Sequence, residues 1–114
     1  MPVLVCDTDG AVVSTVQDGL DLIGAAFLGA EMVVIPAARL DDGFFSLGTG
    51  LAGEIMQKFV NYQLRLVIVG DITRHLEASS ALRDLVFESN RGQHVWFVAD
   101  LDEFDDRLQP RSSI

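Results

Sequence analysis

Four short apolar runs recur along this 114-residue chain, each pair separated by a longer stretch of helical character. They are Val3–Cys6, Met32–Ile35, Leu64–Val69 and Val95–Val98. A near-continuous run of Val, Ile and Leu only four to six residues long reads as a strand buried on both faces. Strands that alternate with helices imply a largely parallel sheet joined by right-handed crossovers. The expected fold class is therefore α/β, with one domain over residues 1–108 and a flexible tail at 109–114.

The elements between the runs follow from spacing and caps. Ala11–Val13 is a further apolar stretch, and Asp9-Gly10 before it suits a turn needing positive φ. This predicts an N-terminal β-hairpin, hence a mostly parallel sheet of four to five strands with about four helices. Ser14 and Gln17 fit a capping box. The helix it opens reaches about Leu28, with Leu20, Ile23 and Phe27 on one face and Gly29 as its stop. Gly19, Gly24 and Gly29 weaken that helix, so close packing is their expected role. Pro36 ends the second strand, and a loop from Ala37 to Gly48 leads into a second long helix. There Leu51, Ile55, Phe59 and Tyr62 fall at helical spacing, with Met56 beside them. Ser79 or Ser80 caps a third helix carrying Leu82, Leu85 and Val86, which stops near Asn90-Arg91-Gly92. Leu101, Phe104 and Leu108 mark a last, acidic helix.

Composition narrows the function classes. A net charge of −9 disfavours nucleic acid and anionic membrane surfaces, whose binding depends on Lys and Arg. Cys6 is the sole cysteine, so no intrachain disulfide forms. The opening MPVLVC lacks the charged and apolar regions of a signal peptide, and no run approaches a membrane span, so a cytoplasmic protein is expected. His75 and His94 have no partner at metal-ligand spacing, so neither a metal nor another cofactor is expected.

The stretches QDGLDLIG, FFSLGTGLAGEIMQKFVNYQLRLVIVGD and ESNRGQHVWFVADL resemble an uncharacterised bacterial family, domain of unknown function 4180. The resemblance spans nearly the whole chain and implies no established activity. The element order is also similar to STAS domains, found in sulfate transporter tails and anti-sigma factor antagonists. In the antagonists an Asp-Ser-Ser-Gly-Leu loop opens the second long helix, and its first Ser is phosphorylated to switch partner binding. The matching stretch here is Leu47-Gly48-Thr49-Gly50-Leu51. It puts Gly48 at the phosphorylated position and Leu47 at the Asp, leaving Thr49 as the nearest phospho-acceptor.

Three kinds of chemistry compete for the polar residues. VLVCDTDG resembles the start of haloacid dehalogenase-class phosphatases, and Val67–Asp71 with Lys58 upstream imitates their later motifs. Catalysis would then fall to Asp7 and Asp9. The strand Met32–Ile35 ends in Pro-Ala-Ala, however, with no hydroxyl for a phosphoryl group, and a turn is the simpler reading. The second kind is nucleotide binding, because Gly48 to Gly53 is a formal G-x-G-x-x-G with Asp71 some distance downstream. That fingerprint requires a strand directly before it, and Gly43–Leu47 is a poor one. The third is an anion or small-ligand site at the start of the second long helix. Its residues would be Arg39, Gly48, Thr49, Gly50, Asp71 and Asp100.

The favoured reading is a non-enzymatic regulatory or protein-interaction module. A small nucleotide- or phosphate-binding protein is the alternative, and a phosphatase-like enzyme the minor one. Self-association, as a homodimer, is also expected. Phe44 and Phe45 are adjacent in a loop, so an exposed apolar patch with Met56 would form the interface.

Overall fold

The structure is a computed structural model that describes residues 2–27 and 29–108. The expected tail at 109–114, and Leu28 at the expected end of the first helix, lie outside the described residues. Four strands form one sheet: β1 Val3–Val5, β2 Met32–Pro36, β3 Arg65–Val69 and β4 Val95–Val98. They lie side by side in chain order and every neighbouring pair is parallel. The α/β class and the parallel sheet are thus as the apolar runs imply.

Six helices occur among the described residues: α1 Val16–Ala26, α2 Asp42–Phe45, α3 Leu51–Asn61, α4 Thr73–Ala78, α5 Ser80–Arg91 and α6 Leu101–Leu108. The two beyond the expected four are short. Helix α2 lies within the predicted Ala37–Gly48 loop, flanked by 3₁₀ turns at Ala37–Arg39 and Leu47–Thr49. Helix α4 occupies the polar stretch around His75.

The N-terminal hairpin does not form. β1 pairs only with β2, in parallel. Asp7 to Gly10 does turn, with the Gly10 amide 3.4 Å from the Asp7 carbonyl, but Gly10 is not in the positive-φ region. The chain after the turn runs beside the end of β2 instead of returning along β1. Val13 donates its amide to the Arg39 carbonyl at 2.6 Å and accepts from the Asp41 amide at 3.0 Å. Burying Val13 against Leu40 therefore replaces the expected antiparallel strand.

All three crossovers step the same way across the sheet, so the handedness rule places their helices on one face. The main core confirms this arrangement. Val33, Ile35, Leu66, Ile68 and Phe97 meet Ile23 of α1, Ile55 and Phe59 of α3, and Leu82 of α5. On the other face, Met32, Val34, Val67, Trp96 and Val98 meet Phe104 of α6. Each such side chain, fully buried, contributes roughly 1.5–3 kcal/mol.

The caps and stops are local. Thr15, not Ser14, caps α1, and Asp18 completes the capping box in place of Gln17. Phe27, expected on the buried face, lies beyond α1 and is 68% exposed. Helix α3 ends in a Schellman turn: the Leu64 amide reaches the Phe59 carbonyl at 2.9 Å while Gln63 takes φ +58°. Leu64 then enters the core, and Tyr62 stays exposed. Ser79 accepts the Leu82 amide ahead of α5. At its far end Asn90 clamps β4, donating to the Phe97 carbonyl and accepting its amide. Among the described residues no helix is long and apolar enough to cross a membrane.

The glycines in and just after α1 differ in role. A Cβ at Gly19 would stand 3.0 Å from Ile55 Cγ1, so this glycine permits close contact of α1 with α3. At Gly24 and Gly29 a Cβ would meet nothing. Gly24→Ala should therefore raise the unfolding free energy by about 0.5–1 kcal/mol, the usual gain inside a helix. Gly19→Ala should forfeit that gain or lower stability. Urea titrations of both variants test this, and equal stabilisation at both sites would contradict the close α1–α3 contact.

Candidate functional site

Parallel strands deliver their carboxyl ends to one edge of the sheet, and ligands in such folds settle beyond that edge. Here the edge carries a cleft of about 630 Å³. The end of β1 contributes Val5, Cys6, Asp7 and Thr8, and the end of β2 contributes Pro36, Ala37 and Leu40. β3 contributes Val69 and the loop Gly70-Asp71-Ile72. Asp42 from α2, Arg74 and His75 from α4, and Leu101 from α6 complete the wall. Gly70 has φ +148°, and a Cβ there would lie 2.9 Å from the Ala37 side chain. Only glycine lets the ends of β2 and β3 approach so closely.

One side of the cleft is a linked wall. Asp42 Oδ1 lies 3.0 Å from Arg74 and 3.9 Å from His75 Nε2. The His75 ring stacks on Phe45 at 4.2 Å between centroids, and Phe45 meets Phe44 edge to face at 5.3 Å. Phe44 and Phe45 are 1% and 4% exposed, so the exposed aromatic patch expected to drive dimerisation is not there. Both rings point inward because α2 turns the segment back over the core. Met56 is half-buried against that core and lines a separate groove between α3 and α5.

The predicted site residues are dispersed. Arg39 is spent on the β1–α1 connection: its Nε donates to the Ala11 carbonyl at 3.0 Å and its Nη1 to the Asp7 carbonyl at 3.3 Å. Thr49 Oγ1 lies 2.7 Å from the Gly43 carbonyl and 2.9 Å from the Ser46 carbonyl, and accepts the Leu51 amide at 3.2 Å. The Thr49 and Gly50 amides donate to the Ser46 and Leu47 carbonyls. The Thr49, Gly50 and Leu51 amides thus already have acceptors within the chain. Gly50 takes φ +77°, whereas Gly48 and Gly53 are open. The strand that a dinucleotide fingerprint needs is replaced by α2 and a 3₁₀ turn. Asp100 accepts the Glu103 amide at the start of α6. Of the predicted set, Asp71 alone is among the residues lining the cleft, beside Asp7 from the phosphatase reading. Asp9 lies in the exposed turn.

Asp42, Arg74 and His75 were not legible as a group. Asp42 and Arg74 are 32 residues apart, and only folding of α2 and α4 brings them together. Burial pushes the Cys6 thiol up, against the opposing pull of the Arg39 guanidinium, so it stays protonated near neutrality and is a weak nucleophile. Trp96, read as core, is buried and donates to the Gly92 carbonyl at 2.9 Å, with Arg65 and Arg107 over its ring.

The Thr73 hydroxyl and then its amide donate to Asp71 and hold its carboxyl below the ordinary range. A lowered folded pKa contributes stability above the unfolded value, near 3.9, and loses it as pH falls through the folded one. The stability difference between the protein and Asp71→Asn should therefore be constant from pH 5 to 7 and shrink below about pH 4. Urea titrations across that range test it, and a pH-independent difference would refute the assignment. Arg39→Met, which removes both carbonyl contacts, should cost about 1–2 kcal/mol and speed amide exchange in the Asp7–Val13 connection. Unchanged exchange there would show that Arg39 is not the anchor.

Residues 1–108 match the family model described as Domain of unknown function (DUF4180). No curated protein and no solved structure matches the chain.

Proposed function

The chain belongs to the DUF4180 family, and we propose that it is a non-enzymatic regulatory module in which occupancy of the cleft sets the shape of the segment leading into α3. The observation that carries this reading is the wall formed by Asp42, Phe45, Arg74 and His75. Helix α2 is at once a side of the cleft and the start of the segment that Thr49 closes. A ligand that displaces Arg74 or His75 therefore acts on the same piece of chain as a change at Thr49.

Thr49 suits the role of switch, in keeping with a STAS-like module. Its hydroxyl proton is shared between two carbonyls of the α2 segment. Phosphorylation would remove that donor and put negative charge at the positive end of an eleven-residue helix. The segment would lose its latch while the helix start gained charge stabilisation.

Coupling between two sites is reciprocal, which gives the test. Ala38→Trp, which intrudes on the cleft, should shift the backbone amide signals of Gly43 to Leu51. Thr49→Glu should shift those of Asp71 and His75 in return. If each substitution perturbs only its own surroundings, the cleft and the segment are independent and the regulatory reading fails.

A further inference from the structure

We propose that the cleft above β1, β2 and β3 takes a small organic cation, an amine carried on an apolar body. The inference rests on the ligand-cleft reading above and assigns the chemistry of the occupant. A cleft of about 630 Å³ falls in the range of sites for small molecules. Its apolar surface comes from Val5, Val34, Leu40, Val69, Ile72 and Leu101, of which Val5 and Leu101 are 56% and 51% exposed. These side chains suit a hydrocarbon or aromatic body.

The border of the cleft is acidic. Asp7, Asp42 and Asp71 stand against Arg74 and His75. Asp42 is paired with Arg74, whereas Asp7 and Asp71 make no ion pair among the described residues. Arg39 does not line the cleft and is turned to the carbonyls of Asp7 and Ala11.

The carboxyl edge of a parallel sheet ordinarily favours anions, because helix N-termini present free amides there. This chain fills those positions itself. Asp41, Asp71 and Asp100 accept amides at the starts of α2, α4 and α6, and the hydroxyls of Thr15, Thr49 and Ser79 do so at α1, α3 and α5, with the Asp18 carboxylate closing the capping box at α1. Three of these six acceptors are carboxylates, and Asp18 adds a fourth carboxylate beside them. The edge that would draw an anion is thereby left negative, which complements a cation.

The probes are 2-phenylethylamine, its carboxylate counterpart 3-phenylpropanoate and inorganic phosphate, each titrated into the isotope-labelled full chain. The amine should shift the amides of Asp7, Gly70 and Asp71 saturably, and the two anions should not. Asp71→Asn keeps an acceptor for the Thr73 amide while removing the charge, and should weaken amine binding about tenfold, as should Asp7→Asn. Ala38→Trp should abolish it. Binding of either anion at the same amides as tightly as the amine overturns the cation assignment but leaves a ligand cleft. Amine binding indifferent to both Asn variants also overturns the assignment. If no probe of either charge moves the cleft amides, the cleft reading falls with it.

Discussion

β2 and β3 are paired over five residues, from Met32 with Arg65 to Pro36 with Val69, and their inner residues are buried on both faces. A slip of one residue would send Val33, Ile35, Leu66 and Ile68 away from the helices and into the opposite layer, so burial fixes the register. That register brings the two strand ends level, Ala37 beside Gly70. Everything functional follows from there. Pro36 cannot extend the ladder, Gly70 allows the close approach, and the chain leaves both strands in directions that open the cleft, with α2 and α4 joined along one side of it.

The sheet is unequal on its two sides. Three crossover helices cover one face, while the other receives α6 near β4, and Val5 of the edge strand β1 remains open to solvent. Apolar surface thus reaches the carboxyl edge from the less covered side, where it meets the acidic caps. The same caps that end the helices' search for acceptors set the electrostatic character of the edge. Stability and recognition are drawn from one set of aspartates.

The strands were legible because uninterrupted Val and Ile runs have few other uses, and α3, α5 and α6 because their apolar residues keep helical spacing. The hairpin was misread because Ala11-Val12-Val13 is too short to declare its partner. Val13 is buried through a bridge to Leu40, and Val12 is 54% exposed, so the run never alternates as a strand. Phe44 and Phe45 looked excessive for a loop because α2 lacks the length to show periodicity. The cleft was the least legible part. Asp71 stood out as an acid at a strand end, but Asp42, Arg74 and His75 gain meaning only through contacts between segments distant in the chain. Arg39 and Thr49 were noticed for their chemistry, and the fold uses that chemistry to hold its own carbonyls.

Spatial order equal to chain order has a consequence for how the molecule assembles. Paired residues lie 29 positions apart across β1–β2 (Val3 with Met32), 33 across β2–β3 (Met32 with Arg65) and 29 across β3–β4 (Leu66 with Val95). Loop-closure entropy grows only with the logarithm of length, so the three closures cost nearly the same. None requires the two ends of the chain to find each other. A nascent chain can thus add each βα unit to the previous one as it emerges, without waiting for the last residues and without rethreading what has already formed.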